Sequence, residues 1–431
     1  MVDASGDQPT PPFRHPSQEG ILLICGWGMG ILIVSMNISS STATAMSYCI
    51  NPACPAPDKN SPNANFCMSC GTKIRRKDRY RDTSSQMNAE DYSDRGVVKE
   101  DELNDFAGAL ADYNKAIELD PEYMDAYSNR GLLKYLQLDD MYGALTDYNK
   151  AIELDRSDAM NYYCRGLLKH NELDDMDGAL ADYNKAIELD PSDANFHFNR
   201  GLLKYNEIDD IHGAFTDFNK ASDIDQKHAN AYYFRGTLKY RELNDSFGAL
   251  FDFNQAILIE PSNPTFYHLR GMLKYEKLDD AAGALIDYNK SIELDPTQDN
   301  CYYWRGIVKH EKLDDITGAL TDYNKSIKLN PREPYHYNHR GMLKHSKLND
   351  IAGAFVDYNK SIELDRNNGD FYSNRATLMC DLNNISGAIR DFRQSALLYQ
   401  EQGKTEDFAN AIAQLKELGA NCHSASFWMK R

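Results

Sequence analysis

Cysteine is sparse in this chain, nine among 431 residues and an odd number. That excludes the disulfide-dense scaffold of a small secreted domain. Basic charge is short as well. Lys and Arg number 47 against 65 Asp and Glu, a net charge of −18. Wholesale wrapping of nucleic acid, which needs surplus cations against phosphate, is therefore excluded. Catalytic motifs are missing: there is no Gly-rich phosphate loop, no catalytic-loop Asp motif and no Asp-Phe-Gly. His170, His310 and His345 recur at one repeat position rather than converging on a nucleophile. Cys164, Cys301, Cys380 and Cys422 are scattered and read as small apolar packing residues. What is present is 42% apolar and 11% aromatic, with 27 Tyr. That is enough for a core and excludes disorder over most of the chain.

Self-similarity dominates. Arg-Gly recurs at Arg95-Gly96, Arg130-Gly131, Arg165-Gly166, Arg200-Gly201, Arg235-Gly236, Arg270-Gly271, Arg305-Gly306 and Arg340-Gly341, always 35 residues apart, with a ninth, degenerate copy at Arg375-Ala376. Such a period means stacked units rather than separate domains. Each unit reads as two helices. In the second unit, Tyr127 to Tyr135 has helical spacing, and Leu138-Asp139-Asp140 is a break whose Asp can cap the next helix. Ala144, Tyr148, Ala151 and Ile152 then share one face. Asp-Pro closes units at Pro121, Pro191 and Pro296. The small Gly131 and Ala144 fall where the two helices must approach closely.

Gly131, Ala144, Tyr148 and Ala151, with their equivalents in the other units, resemble the tetratricopeptide repeat, TPR. The resemblance covers residues 88–396 and implies an all-α fold: a TPR α-solenoid of about nine 35-residue helix-turn-helix units. The period departs from the family's 34 by one extra residue between the helices. The last unit loses that residue, since Gly387 follows Gly353 by 34. A further helix, Thr405 to Leu418, places Ala409, Ile412, Leu415 and Leu418 on one side and is expected to cap the array within residues 397–431.

Two charges recur in all nine units: the Arg before the Gly, and an Asp in the second helix, at Asp112, Asp147, Asp182, Asp217, Asp252, Asp287, Asp322, Asp357 and Asp391. A cationic stripe for an anionic ligand is one reading. An Arg–Asp ladder between stacked helices is the reading preferred, because every Arg comes with an Asp and the planar guanidinium suits a half-buried carboxylate.

The TPR resemblance further implies that the first helices line a concave groove, with partner contacts three residues before and four after the small residue. Those slots hold Tyr163, Phe198, Tyr233, His268 and Tyr303, and Tyr135, His170, Tyr205, Tyr240, Tyr275, His310 and His345. Seven residues are two turns, so both rows share a face. The expectation is an aromatic and histidine stripe that holds a protein or peptide partner. The alternative is that these rings pack between units as core. The slot after the Gly carries Leu132, Leu167 and Leu202 where a carboxylate clamp wants Asn, which argues against a chaperone tail.

Four cysteines are concentrated: Cys49 and Cys54, then Cys67 and Cys70, giving C-x4-C, twelve residues, C-x2-C. Two close thiolate pairs fit one tetrahedral structural Zn2+. The segment between them, with Pro55, Pro57 and Pro62, has too little apolar area to fold without metal. Residues 46–81 resemble the four-Cys zinc ribbon that precedes certain cyanobacterial-type serine/threonine kinases. Here no kinase follows, so only the ribbon carries over, over residues 46–74.

Residues 75–87 form a basic linker; with Lys73, the stretch holds Arg75, Arg76, Lys77, Arg79 and Arg81. A solvated linker is favoured over a nucleic-acid patch, since only Tyr80 is available for stacking. Residues 1–45 hold an apolar run, 20–36, too short to span a membrane comfortably, followed by Ala43-Thr44-Ala45. A translation start at Met46, a membrane anchor and a cleaved signal all stay open. The expected function is a cytoplasmic, non-enzymatic protein-interaction scaffold. The alternatives are a zinc-ribbon nucleic-acid adaptor and a regulatory subunit of a separate kinase or signalling complex.

Overall fold

The computed structural model describes residues 87–419 and the backbone of two short strands, β1 (Ser47–Cys49) and β2 (Ile74–Arg76). The strands pair antiparallel, with Ser47 opposite Arg76 and Cys49 opposite Ile74. Cys54, Cys67, Cys70, Cys422 and the run 20–36 lie outside the described residues.

Among the described residues the helices alternate as first and second members of pairs. They are α1 (Ala89–Asp101) and α2 (Phe106–Leu119), α3 (Met124–Gln137) and α4 (Met141–Leu154), and α5 (Ala159–Asn171) and α6 (Met176–Leu189). Next come α7 (Ala194–Leu203) and α8 (Ile211–Ile224), α9 (Ala229–Arg241) and α10 (Ser246–Ile259), and α11 (Pro264–Glu276) and α12 (Ala281–Leu294). The series ends with α13 (Asp299–Glu311) and α14 (Ile316–Leu329), α15 (Pro334–Ser346) and α16 (Ile351–Leu364), α17 (Gly369–Asp381) and α18 (Ile385–Glu401), and a single α19 (Thr405–Glu417). The chain divides into two compact units, Met1–Asp182 and Tyr183–Arg431, so the division falls inside α6.

Local chemistry explains each start and stop. In the first eight pairs the second helix begins on an Asp whose carboxylate accepts the N–H of the Gly three residues on, as Asp140 does from Gly143 at 2.9 Å, and in the ninth the Asn384 amide oxygen does the same from Gly387. This satisfies one of the orphan donors of the first turn. A Cβ on Gly143 would stand 2.0 Å from that carboxylate. The residue before each cap takes a left-handed backbone: Asn104, Asp139, Asp174, Asp209, Asn244, Asp279, Asp314, Asn349 and Asn383, with φ of 50 to 59°. Asn and Asp tolerate this conformation better than other non-glycine residues.

The extra residue of the 35-residue period sits at the end of the first helix. In the eight longer units the cap N–H reaches back six residues to a lysine carbonyl, from Asp105 to Lys99 at 2.9 Å and likewise through Asp350 to Lys344. In the 34-residue ninth unit, Asn384 reaches back five, to the Met379 carbonyl at 2.8 Å. Five is the ordinary closure behind a left-handed helix end. The longer units therefore widen their last turn by one residue; after α7 that turn is a stretch of π-helix, Lys204–Ile208.

The core follows the expected face. Ala144, Tyr148, Ala151 and Ile152 are all buried. A Cβ on Gly131 would stand 3.2 Å from the Tyr148 ring and 3.3 Å from Asp147 Cβ, so this is indeed a close approach. The ring of each second helix also packs on the next first helix: Tyr113 with Leu133, Tyr288 with Val308, Tyr323 with Leu343 and Tyr358 with Leu378. Each repeat is thus completed by its successor, which is why such units are stable only in series. At the carboxyl end, α19 packs on α18. Its buried seam is Ala411 and Leu415, flanked by Phe408 and Ile412, while Ala409 is exposed. Of the expected seam, Ile412, Leu415 and Leu418 pack inward; Ala409 is corrected, since Phe408 and Ala411 take the inward places beside them.

Candidate functional site

Every recurring Arg meets the Asp of its own pair, from first helix to second. Arg235 is representative: Nε donates to Asp252 Oδ2 at 2.9 Å and Nη2 to Oδ1 at 2.5 Å. The same two-pronged pair forms from Arg95–Asp112 through Arg375–Asp391. The bidentate fork adds geometric specificity to the charge. The ladder reading therefore holds, with its rungs inside each repeat.

The rung has two further members that the sequence reading missed. A lysine one turn after the Arg reaches the same carboxylate, as Lys239 does to Asp252 at 2.8 Å, and Lys134, Lys204, Lys274, Lys309 and Lys344 repeat it. The third guanidinium nitrogen donates to an Asn of the preceding repeat: Arg130 to Asn114 at 2.6 Å, Arg235 to Asn219 at 3.0 Å, Arg375 to Asn359 at 2.6 Å. A tyrosine three residues before the Arg stacks on it in eight units, as Tyr232 on Arg235 at 5.1 Å. In the fourth unit His197 takes that place, 3.7 Å from Asp217.

The signal for the inter-repeat contact was in the sequence. Asn stands two residues after the recurring Asp in units one to eight, and in the ninth, where no Arg follows, the slot is Arg393. The carboxylates are buried, Asp252 completely. Burial alone would raise the Asp217 carboxyl, but hydrogen bonds from His197, Arg200 and Lys204 and the Arg200 charge hold it well below the usual range. At the amino-terminal rung the same balance holds Asp112 low, through Arg95 and Lys99.

The expected stripe of rings separates into two groups. Tyr135, Phe198, Tyr233, Tyr240, Tyr303 and His310 are buried. Phe198 packs on Phe218, His228 and Phe234, and Tyr233 on Phe253 and Phe266. Tyr163, His170, Tyr205, His268, Tyr275 and His345 are half-buried. Several polar tips are held by the next repeat, 36 residues on. Tyr135 accepts from Asn171 at 3.2 Å, Tyr240 donates to Glu276, Tyr275 donates to Glu311, and His345 lies 2.7 Å from Asp381. His268 Nδ1 is 3.3 Å from Cys301 Sγ. The two rows thus combine inter-repeat packing with a narrower accessible surface.

Burial pushes the thiols of Cys164 and Cys301 up to about 12, far from the range of a reactive thiolate. Among the described residues no cluster of three or more His, Cys, Asp or Glu is arranged to hold a metal ion. Among them, too, no helix is long and apolar enough to cross a membrane.

Residues 102–138 and 169–207 match the family model described as TPR repeat, and residues 125–158 match the one described as tetratricopeptide repeat. These segments are tetratricopeptide repeats. No curated protein matches the chain. Several solved structures are similar. YrrB, described as a TPR protein with an unusual peptide-binding site, is 22% identical over 43% of this chain and 92% of its own, with a TM-score of 0.37. A tetratricopeptide repeat protein from Parabacteroides merdae ATCC 43184 is 22% identical over 56% of this chain and 93% of its own, TM-score 0.42. The APC/C hetero-tetramer Cut9–Hcn1 is 16% identical, covers 75% and 76%, and gives a TM-score of 0.47.

Proposed function

We propose that this chain is a non-enzymatic TPR scaffold that holds an extended peptide or protein segment along the first-helix face, through its half-buried rings. One observation carries the reading: the Arg and Asp common to all units are tied to each other inside the rungs, so recognition falls to residues that vary from unit to unit. On the first helices of the unit Tyr183–Arg431 those include Tyr205, Tyr275 and His345, half-buried rings of which Tyr275 and His345 have their polar tips held by the next repeat. Rings held in one rotamer lose little entropy on binding, which favours them as anchors. The test is affinity capture from the native cell by the full chain and by a variant carrying Tyr205→Ala, Tyr275→Ala and His345→Ala. The expected result is loss of the captured partner with helical content unchanged. Retention of the partner would overturn the assignment.

The second part of the proposal is one structural zinc held by Cys49, Cys54, Cys67 and Cys70. Four thiolates are the donor set of a closed structural site. The antiparallel pairing of Cys49 with Ile74 supports this reading, because it joins the two ends of the cysteine-bearing segment. Zinc analysis of the reduced protein should give one ion per chain, and Cys67→Ser should lower it. A metal-free wild-type protein would remove the proposal.

A further inference from the structure

On the outer face of the second helices, a Lys and a Glu three residues apart recur as a surface pair. Lys115–Glu118, Lys150–Glu153, Lys185–Glu188, Lys290–Glu293 and Lys360–Glu363 lie within 2.7 to 3.0 Å. Helix α10 breaks this rule completely. Its two slots are Gln255 and Leu258, and two further outer positions are Phe247 and Phe251. Phe247 is 78% exposed, Phe251 56% and Leu258 75%. Steps of four and seven residues keep all three on one side of the helix. On the next outer helix, α12, Ile286 is 67% exposed. Nothing in the core explains two phenylalanines held in water, and an apolar patch of this kind marks an interaction surface.

We infer that this patch is the contact between two copies of this chain, packed two-fold with their α10 helices antiparallel. Area is the first reason. The four side chains present on the order of 500 Å² of apolar surface. Two copies face to face then bury about 1,000 Å², the lower bound for a specific interface before any rim is added. Symmetry is the second reason. The stripe has a large apolar residue at each end, so an antiparallel partner sets Phe247 over Leu258 and Leu258 over Phe247, with Phe251 beside the uncharged Gln255. Such a surface is complementary to itself, as an isologous dimer requires.

Charge decides the direction. A two-fold axis across the helices lays α8 of one copy over α8 of the other, so exposed His212 faces Asp223. An axis along the helices would instead lay α8 over α12, setting Lys220 against Lys290 and Asp223 against Glu293. Like charges opposed in this way are destabilising. The net charge of −18 keeps two chains apart elsewhere. On α10, both charges of the recurrent pair are gone.

The test is sedimentation equilibrium of the full chain. Its mass is 49.0 kDa, and the expected species at micromolar concentration is twice that. Phe251→Glu should give a monomer with unchanged helical circular dichroism and melting temperature, since the side chain is exposed. Phe247→Glu and Leu258→Lys should each weaken the dimer at least about tenfold. Together in one chain they should restore it, because the antiparallel pairing sets Glu over Lys. A chain that is monomeric throughout overturns the inference, including the case in which the patch binds a different protein. So does a dimer indifferent to Phe251→Glu. Failure of the double variant to recover overturns the antiparallel arrangement.

Discussion

Asp252 and Glu293 each lie within 2.8 Å of a lysine nitrogen, yet they sit in different surroundings. Asp252 is fully buried between two helices and also takes both prongs of Arg235. Glu293 is largely exposed on α12 and has Lys290 as its partner in the pair. Water screens the second pair and competes for it. In the first, desolvation makes the attraction strong and the loss of either partner costly. Identical chemistry therefore serves as architecture in one place and as solvated surface in the other. The Arg–Asp pair recurs in every unit because a missing member leaves a buried charge. The outer pair can be replaced by Gln255 and Leu258 because little depends on it.

Removing the buried carboxylate breaks this comparison most severely. Asp252→Ala strands the Arg235 and Lys239 charges and should cost about 3–5 kcal/mol. Asp112→Ala, at the end rung where Arg95 is 29% exposed, should cost visibly less. Urea unfolding of both variants measures the difference, and equal losses would refute burial as the cause.

Acid offers the next test. Burial, with Arg241 nearby, lowers His268 to about 4, and burial, with His339 nearby, lowers His336 to about 4. The unfolded chain takes up a proton below about pH 6.5 while these folded rings stay neutral. The stability these two rings contribute is therefore whole above pH 6.5 and falls towards pH 4, against an opposite contribution from Asp125, whose carboxyl burial raises to about 6. The low-lying Asp217 and Asp112 add a second loss, beginning below about pH 4 as their carboxylates protonate. Melting temperature against pH should decline in these two windows, and His268→Phe with His336→Phe should flatten the upper one. The smallest effect belongs to the surface pair: Glu293→Ala should leave the melting temperature unchanged.

Much of this molecule was legible in advance because repetition averages out local accident. Nine copies of one pattern displayed the helix pair, the capping Asp140, the close approach at Gly131 and the Arg–Asp rung. The lysine and Asn members of the rung recurred in eight of the nine units and were passed over. Each reads as an ordinary surface residue until the packing shows which carboxylate it reaches. The ring stripe was legible as a row but not as an exposure pattern. Whether Tyr240 is buried or Tyr205 half-open depends on how closely the next repeat's side chains cover it, and the residue that meets Tyr240, Glu276, lies 36 positions away.

The sequence by itself determined the repeat, its helical period, its caps and the pairing of opposite charges, since all are set by contacts within one unit's length. The place of the extra residue was decided only in the tertiary structure, where the widened last turn takes it up through a hydrogen bond six residues back. There too the linking of one repeat to the next was settled, through Asn, Arg and the wedged aromatic ring. Those contacts join residues distant along the chain, and their strength comes from the water that packing removes.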